Sequence, residues 1–176
     1  LGAGSWGTAL YLLLKNNGHS VGLWSWQQEH VDKVLAEKKN TQFLPGISMP
    51  EDICISSDMQ TILQEAEVVV FAVPSNVVRS VAKQAAPFIR KNAIIVNVAK
   101  GFENETLLRL SQVLAEELPN RAIVVLSGPS HAEEVARKLP TTVVVASLCQ
   151  EAAKEVQNIF MSEYFRVYTN DDLIGV

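Results

Sequence analysis

Gly2-Ala3-Gly4-Ser5-Trp6-Gly7 stands immediately before an amphipathic segment running from Trp6 to Asn16. The spacing is G-x-G-x-x-G at the start of a helix, and each glycine has a physical reason in a dinucleotide-binding turn. The first permits the tight turn, the second lets the backbone approach a pyrophosphate, and the third lets the helix lie close to the sheet. The helix N-terminus then offers unpaired N–H groups and the positive end of its dipole to the anion. A purely structural glycine turn shows the same letters, so the surrounding chain decides the reading. Only Leu1 precedes Gly2, so the strand expected before the turn is truncated to that residue.

Working outward, short β-branched clusters alternate with longer helical patterns along the whole chain. The expected strands are Ser20 to Trp24, Ile53 to Ser56, Val68 to Val73, Ala93 to Val98, Ala122 to Leu126, Thr142 to Ala146 and Phe165 to Tyr168. The expected helices are Trp6 to Asn16, Glu29 to Glu37, Met59 to Gln64, Val77 to Ala86, Glu105 to Glu117, His131 to Lys138 and Glu151 to Met161. Val68-Val69-Val70-Phe71-Ala72-Val73 is apolar on both faces, as parallel strands covered by helices on each side are. The alternation defines an α/β chain with a Rossmann-like, doubly wound, mostly parallel sheet and helices on both faces. From Pro140 onward the pairing direction is left open. Asn17-Gly18 is placed to close the first helix, Asp58 to cap the short helix after it, and Ser130-His131-Ala132-Glu133 has capping-box spacing. Thr41 to Asp52, with Pro45, Gly46 and Pro50, reads as one long irregular connection placed over the site.

Composition bounds the function. The 176 residues hold 48% hydrophobic and 19% charged residues, with formal net charge −4, which describes one globular domain and not a disordered chain. Charges are interspersed, so no basic footprint for nucleic acid is present. No apolar run approaches the roughly 18 residues of a transmembrane segment. Cys54 and Cys149 are far apart, and His19, His30 and His131 are scattered, so no metal site is expected and a reduced, cytoplasmic setting fits better than a disulfide framework.

Ligands in open α/β sheets bind beyond the carboxyl ends of the strands, which directs attention to Val73-Pro74-Ser75, Ala99-Lys100-Gly101 and Ser127-Gly128-Pro129-Ser130-His131-Ala132. Lys100 follows an apolar strand and either faces a phosphate or carbonyl or is a solvated turn residue. Ser130 reads first as a helix cap. A serine nucleophile has no histidine and carboxylate at a readable spacing. After Leu23-Trp24 the chain continues Ser25-Trp26-Gln27-Gln28, without the acidic residue that bonds an NAD ribose and without the arginine that suits a 2′-phosphate. The choice between NAD and NADP stays open, and Trp26 either stacks on an adenine or caps the sheet edge.

Six motifs in order give the chain a family likeness. Gly-Ala-Gly-Ser-Trp-Gly-Thr-Ala-Leu at Gly2 to Leu10, Leu-Pro-Gly at Leu44 to Gly46, Val-Pro-Ser at Val73 to Ser75, Lys-Gly-Phe-Glu at Lys100 to Glu103, Ser-Gly-Pro-Ser at Ser127 to Ser130 and Phe-Arg-Val-Tyr-Thr-Asn at Phe165 to Asn170 resemble NAD(P)-dependent glycerol-3-phosphate dehydrogenase of the bacterial type. The resemblance implies that residues 1–176 form the dinucleotide-binding domain. It further implies reversible hydride transfer between NAD or NADP and dihydroxyacetone phosphate, giving sn-glycerol 3-phosphate for phospholipid synthesis. By motif, Gly2, Gly4, Ser5, Trp6 and Gly7 surround the pyrophosphate and Trp26 takes the adenosine side. Pro74 is a further cofactor contact, Lys100 meets cofactor and substrate, Gly128 and Ser130 hold substrate, and Ala132 approaches the nicotinamide through its backbone.

The same resemblance places the proton-transferring lysine after Val176, so no catalytic acid is expected within the chain. A C-terminal helical substrate domain is expected to be absent from it, and the full-length protein is expected to be a homodimer. Two alternatives carry over from the residues: another β-hydroxyacid or 6-phosphogluconate-type dehydrogenase, and a non-catalytic nucleotide-sensing Rossmann module.

Overall fold

The structure is a computed structural model that describes residues 1–176. Seven helices and seven strands follow in the order α1 (Ser5–Asn16), β1 (Leu23–Trp24), α2 (Gln28–Glu37), β2 (Ile55–Ser56), α3 (Met59–Leu63), β3 (Val68–Phe71), α4 (Val78–Ala85), β4 (Ile94–Asn97), α5 (Leu110–Glu117), β5 (Ile123–Ser127), α6 (Ala132–Ala136), β6 (Thr141–Ser147), α7 (Gln150–Phe160) and β7 (Phe165–Asn170). β1 and β2 pair in parallel, and β3 to β7 form a five-stranded sheet in sequence order. Leu1 and Gly2 join the two pieces. Leu1 N donates to Val70 O (2.6 Å), Ala72 N donates to Leu1 O (2.9 Å) and Gly2 N donates to Trp24 O (3.0 Å). The strand order across the molecule is therefore β2, β1, the Leu1–Gly2 stub, then β3 to β7, with ladder pairing at the stub confined to these bonds.

The pairing direction left open by the sequence is resolved as mixed: β6 runs antiparallel to β5, and β7 runs parallel to β6 through the α7 crossover. Alternate residues along β4 and its flanks show why the segment Ala93–Val98 is apolar except at Asn97. Ile94, Val96 and Val98 pack with α1, α6 and α7, while Ile95 and Ala93 pack with α3, α4 and α5. Both faces are thus buried under helices, the arrangement in which a parallel strand loses its polar alternation. Leu10, Leu13 and Leu14 form the buried stripe of α1. Burying such side chains contributes about 1.5–3 kcal/mol each before entropy is counted. A smaller cluster of Tyr11, Leu23, Val31, Val34 and Ile55 seats α2 on the β1–β2 pair.

Local signals held in part. Gly18 has φ +89° just past α1, and His19 N closes back on Leu14 O at 3.1 Å, a C-terminal cap. Asp58 caps α3, its carboxylate accepting from Gln60 N and Thr61 N. The capping box at Ser130 does not form: His131 is the N-cap of α6 and makes no side-chain cap bond, and Ser130 Oγ donates instead to Gly128 O at 3.4 Å. The helix expected from Glu105 begins only at Leu110. Residues 102–109 fold as a tight turn closed by a Phe102–Arg109 bridge, with Leu107 at φ +58° and 75% exposed. The backbone of Glu103 closes this turn instead, its N–H donating to Leu108 O at 3.0 Å and its carbonyl accepting from Leu107 N at 2.9 Å. The expected strands Ser20 to Trp24 and Ile53 to Ser56 shorten to two residues each, since only Leu23 and Trp24 find ladder partners in Ile55 and Ser56. No helix is long and apolar enough to cross a membrane.

Candidate functional site

A cleft of about 460 Å³ opens at the carboxyl ends of β3, β4 and β5 against the N-terminus of α1. Gly4, Ser5 and Trp6 form one wall, Val73 and Pro74 follow β3, Ala99 and Lys100 follow β4, and Ser130 and Ala132 lie beyond β5. Residues from four separate motifs therefore converge on one space, at the place where open α/β sheets bind ligands.

The glycine-rich turn has the spacing a diphosphate requires. Gly2 sits at φ +102°, and a Cβ there would lie 2.6 Å from Ala72 O. At Gly7 a Cβ would lie 1.9 Å from Gly2 O, so α1 can approach the turn only without a side chain. Gly4 is the opposite case, with nothing within 4 Å of a Cβ position, and it lines the cleft. Gly4 is the N-cap of α1 and no side chain caps the helix, so the first-turn N–H groups are left to a ligand. Close backbone where packing demands it and open space where a phosphate would rest together fit a dinucleotide.

Lys100 reaches across the strand ends, its Nζ donating to Gly128 O at 3.2 Å. That bond ties the second and third motif loops together and leaves the ammonium with further donors toward the cleft. Gly128 lies against β6, where a Cβ would meet Thr142 O at 2.7 Å. His131 and Glu133 also line the cleft and were not singled out from sequence; their adjacency to Ser130 was the available signal. Glu133 stands in the first turn of α6, and its negative charge disfavours an anion there, which leaves the Lys100 and α1 side for phosphate. Trp26 follows β1, is 74% exposed and does not line this cleft. The loop Thr41 to Asp52 does not cover the cleft either: Leu44 packs under α1, and Lys39 bridges to Ser48. The two cysteines are free, and no group of three metal-ligating side chains is close enough to hold an ion.

The loop carrying Lys100 is anchored by charge. Arg79 of α4 pairs with both carboxylate oxygens of Glu103 (2.7 and 2.8 Å) and also with Glu116 and Glu117 of α5. This bidentate guanidinium, helped by Thr106, holds the Glu103 carboxyl down at about 2 from the usual 4.5. A carboxyl depressed in the folded state stabilises it above the unfolded value and loses that contribution as pH falls through the folded value. Folding stability of the parent is therefore expected to fall between about pH 4.5 and 2, partly through this group. In Glu103→Gln that slope is shallower; superimposable acid-unfolding curves for the two proteins would remove Glu103 from the account.

Fold and cleft together place the chain in the class of Rossmann-type dinucleotide-binding domains. The family described as NAD-dependent glycerol-3-phosphate dehydrogenase N-terminus matches residues 1–153, and the chain belongs to that family. It is 48% identical over 176 residues to glycerol-3-phosphate dehydrogenase [NAD(P)+] of Clostridium perfringens, spanning 100% of this chain and 53% of that one. Its identity to the enzyme of the same name from Pelotomaculum thermopropionicum is 50% over 179 residues, with 51% of that protein covered. The crystal structure of glycerol-3-phosphate dehydrogenase from Coxiella burnetii superposes with TM-score 0.93 at 38% identity, over 99% of this chain and 53% of that one. The chain spans about half the length of the curated relatives it matches.

Proposed function

We propose that this chain is the cofactor-holding part of an enzyme that reduces dihydroxyacetone phosphate to sn-glycerol 3-phosphate with NADH or NADPH, and runs the reverse reaction. The single observation that carries the reading is the convergence of the glycine-rich turn, Lys100 and Ser130 on one cleft. The family membership supports the choice of substrate. When bound, the nicotinamide supplies the hydride. The chain's own residues do the holding: α1 N–H groups and Gly4 face the diphosphate, Pro74 and Ala132 border the nicotinamide end, and Trp26 lies on the adenosine side. Lys100 attracts the substrate phosphate or carbonyl, with Gly128 and Ser130 beside it.

Carbonyl reduction also needs a proton as negative charge develops on oxygen. We assign that role to a lysine in a helical domain following Val176, which also closes the cleft in a homodimeric protein. Glycerophospholipid supply in the cytoplasm is the role this product chemistry serves.

The test is the initial rate of NADH and, separately, NADPH oxidation by the full-length protein with dihydroxyacetone phosphate. Oxidation of either is expected, and residues 1–176 alone are expected to give none. If the full-length protein binds cofactor but reduces no ketone phosphate, the dehydrogenase reading is replaced by a nucleotide-sensing module.

A further inference from the structure

Behind the glycine-rich turn lies a closed polar relay that the reaction does not use. Ser25 at the end of β1, His30 on α2, Asn40 before the long loop and Thr8 on α1 are all buried, each 5% exposed or less. Asn40 Nδ2 donates to Ala3 O at 2.9 Å and to Thr8 Oγ1 at 2.8 Å. Both amide hydrogens are then committed, so Oδ1 is the atom 3.0 Å from His30 Nε2 and must accept. Nε2 therefore carries the ring hydrogen, and Nδ1, 2.9 Å from Ser25 Oγ, accepts the hydroxyl. Each donor meets an acceptor from Ser25 to Ala3, and the bonding pattern has one direction throughout.

The end of this relay is a peptide group of the binding turn. In a trans peptide the carbonyl and the following N–H point opposite ways. A bond that holds Ala3 O inward toward Asn40 therefore turns Gly4 N–H outward. Gly4 lines the cleft, and its N–H has no protein acceptor. If the Ala3–Gly4 peptide reversed, a carbonyl oxygen would face the cleft and repel an anion, and glycine at position 4 makes that reversal sterically cheap.

We propose that Asn40, oriented by His30, is a positioning residue for diphosphate: it locks the Ala3–Gly4 peptide so that Gly4 N–H is presented to the ligand. The proposal rests on the dinucleotide reading of the cleft and names a determinant outside it. It also commits the Ser25 hydroxyl hydrogen to His30, so Ser25 has no donor left for a cofactor.

The experiment compares ADP-ribose, which carries the diphosphate, with adenosine 5′-monophosphate, which does not, by calorimetric titration of the full-length protein and its variants. Asn40→Leu is expected to weaken ADP-ribose about tenfold and the monophosphate less than twofold. His30→Phe keeps an aromatic ring edge-on to Phe43, now at 5.2 Å, but removes the donor to Asn40; about a threefold loss confined to ADP-ribose is expected. His30→Gln, which restores an N–H donor, is expected to recover most of it. A general loosening of the fold would lower both affinities together, so the ratio of the two separates positioning from stability. Should Asn40→Leu not fold, the His30→Phe and His30→Gln pair decides alone. ADP-ribose binding within twofold of the parent in the folded variants overturns the relay while leaving the dinucleotide reading intact. A parent protein that binds no ADP-ribose overturns both.

Discussion

Gly7→Ala is expected to lose about 3 kcal/mol or more of folding stability, seen as a melting temperature lower by roughly 6–12 °C. Two effects oppose each other. Alanine inside a helix is favoured over glycine by about 1 kcal/mol. Against that, the new methyl would sit 1.9 Å from Gly2 O, and its next neighbours are Gly2 C and the Ala72 methyl, so backbone must move to accept it. The contact is not with a flexible side chain that can swing away, and the clash wins. Gly4→Ala supplies the contrast, since its methyl meets nothing within 4 Å and the backbone there is ordinary at φ −72°. That variant is expected to melt within about 1 kcal/mol of the parent and yet to bind NADH at least tenfold more weakly, because the methyl projects into the cleft. Calorimetric melting and fluorescence titration of the pair check both statements. If Gly7→Ala were as stable as the parent, α1 would not depend on the close approach described for it.

The second large effect is expected at Lys100. Lys100→Ala in the full-length protein should lower kcat/KM for dihydroxyacetone phosphate by about a hundredfold or more, the scale found when one preorganised donor to developing charge is removed. Stability should shift by no more than about 0.5 kcal/mol, since Lys100 is an exposed side chain whose protein bond is to a single carbonyl. Lys100→Arg is not expected to rescue, because a bulky planar fork cannot take the place of a compact ammonium bound to Gly128 O. Steady-state kinetics with the ketone phosphate varied at saturating cofactor make the test. Turnover within threefold of the parent would reduce Lys100 to a solvated turn residue, the alternative its sequence position also allowed.

Most of the sheet was legible because parallel strands announce themselves. Val68 to Phe71 and Ile94 to Val96 are apolar on both faces, and no helix of ordinary amphipathicity reads that way. The glycine turn was legible for a related reason: steric necessity at Gly2 and Gly7 leaves only one residue type. What was hidden depends on contacts between distant residues. The late start of α5 accompanies a turn whose Glu103 is held by Arg79 across 24 positions of sequence, a partner that no window centred on residues 105–109 contains. The failed cap at Ser130 arises because its hydroxyl turns back to Gly128 O, a choice that capping spacing does not encode. Asn40 carried no local signal at all, since its partners Ala3 and Thr8 are 37 and 32 positions away. Convergence of Lys100 with Gly128 was suggested by strand-end logic but needed the strand order to be seen.

The uncapped first turn of α1 and the outward Gly4 N–H have one further consequence. Peptide donors have no ionised and neutral forms, and no kinase, acetyltransferase or oxidant edits them. These peptide donors thus lack any handle for chemical regulation, and inheritance can alter them only by changing how the chain bends. An exposed side chain such as Trp26, which lies outside the cleft, is by contrast free to change. Permanence in the backbone of the turn and evolvability in the side chain after β1 lie within a few residues of the same strand.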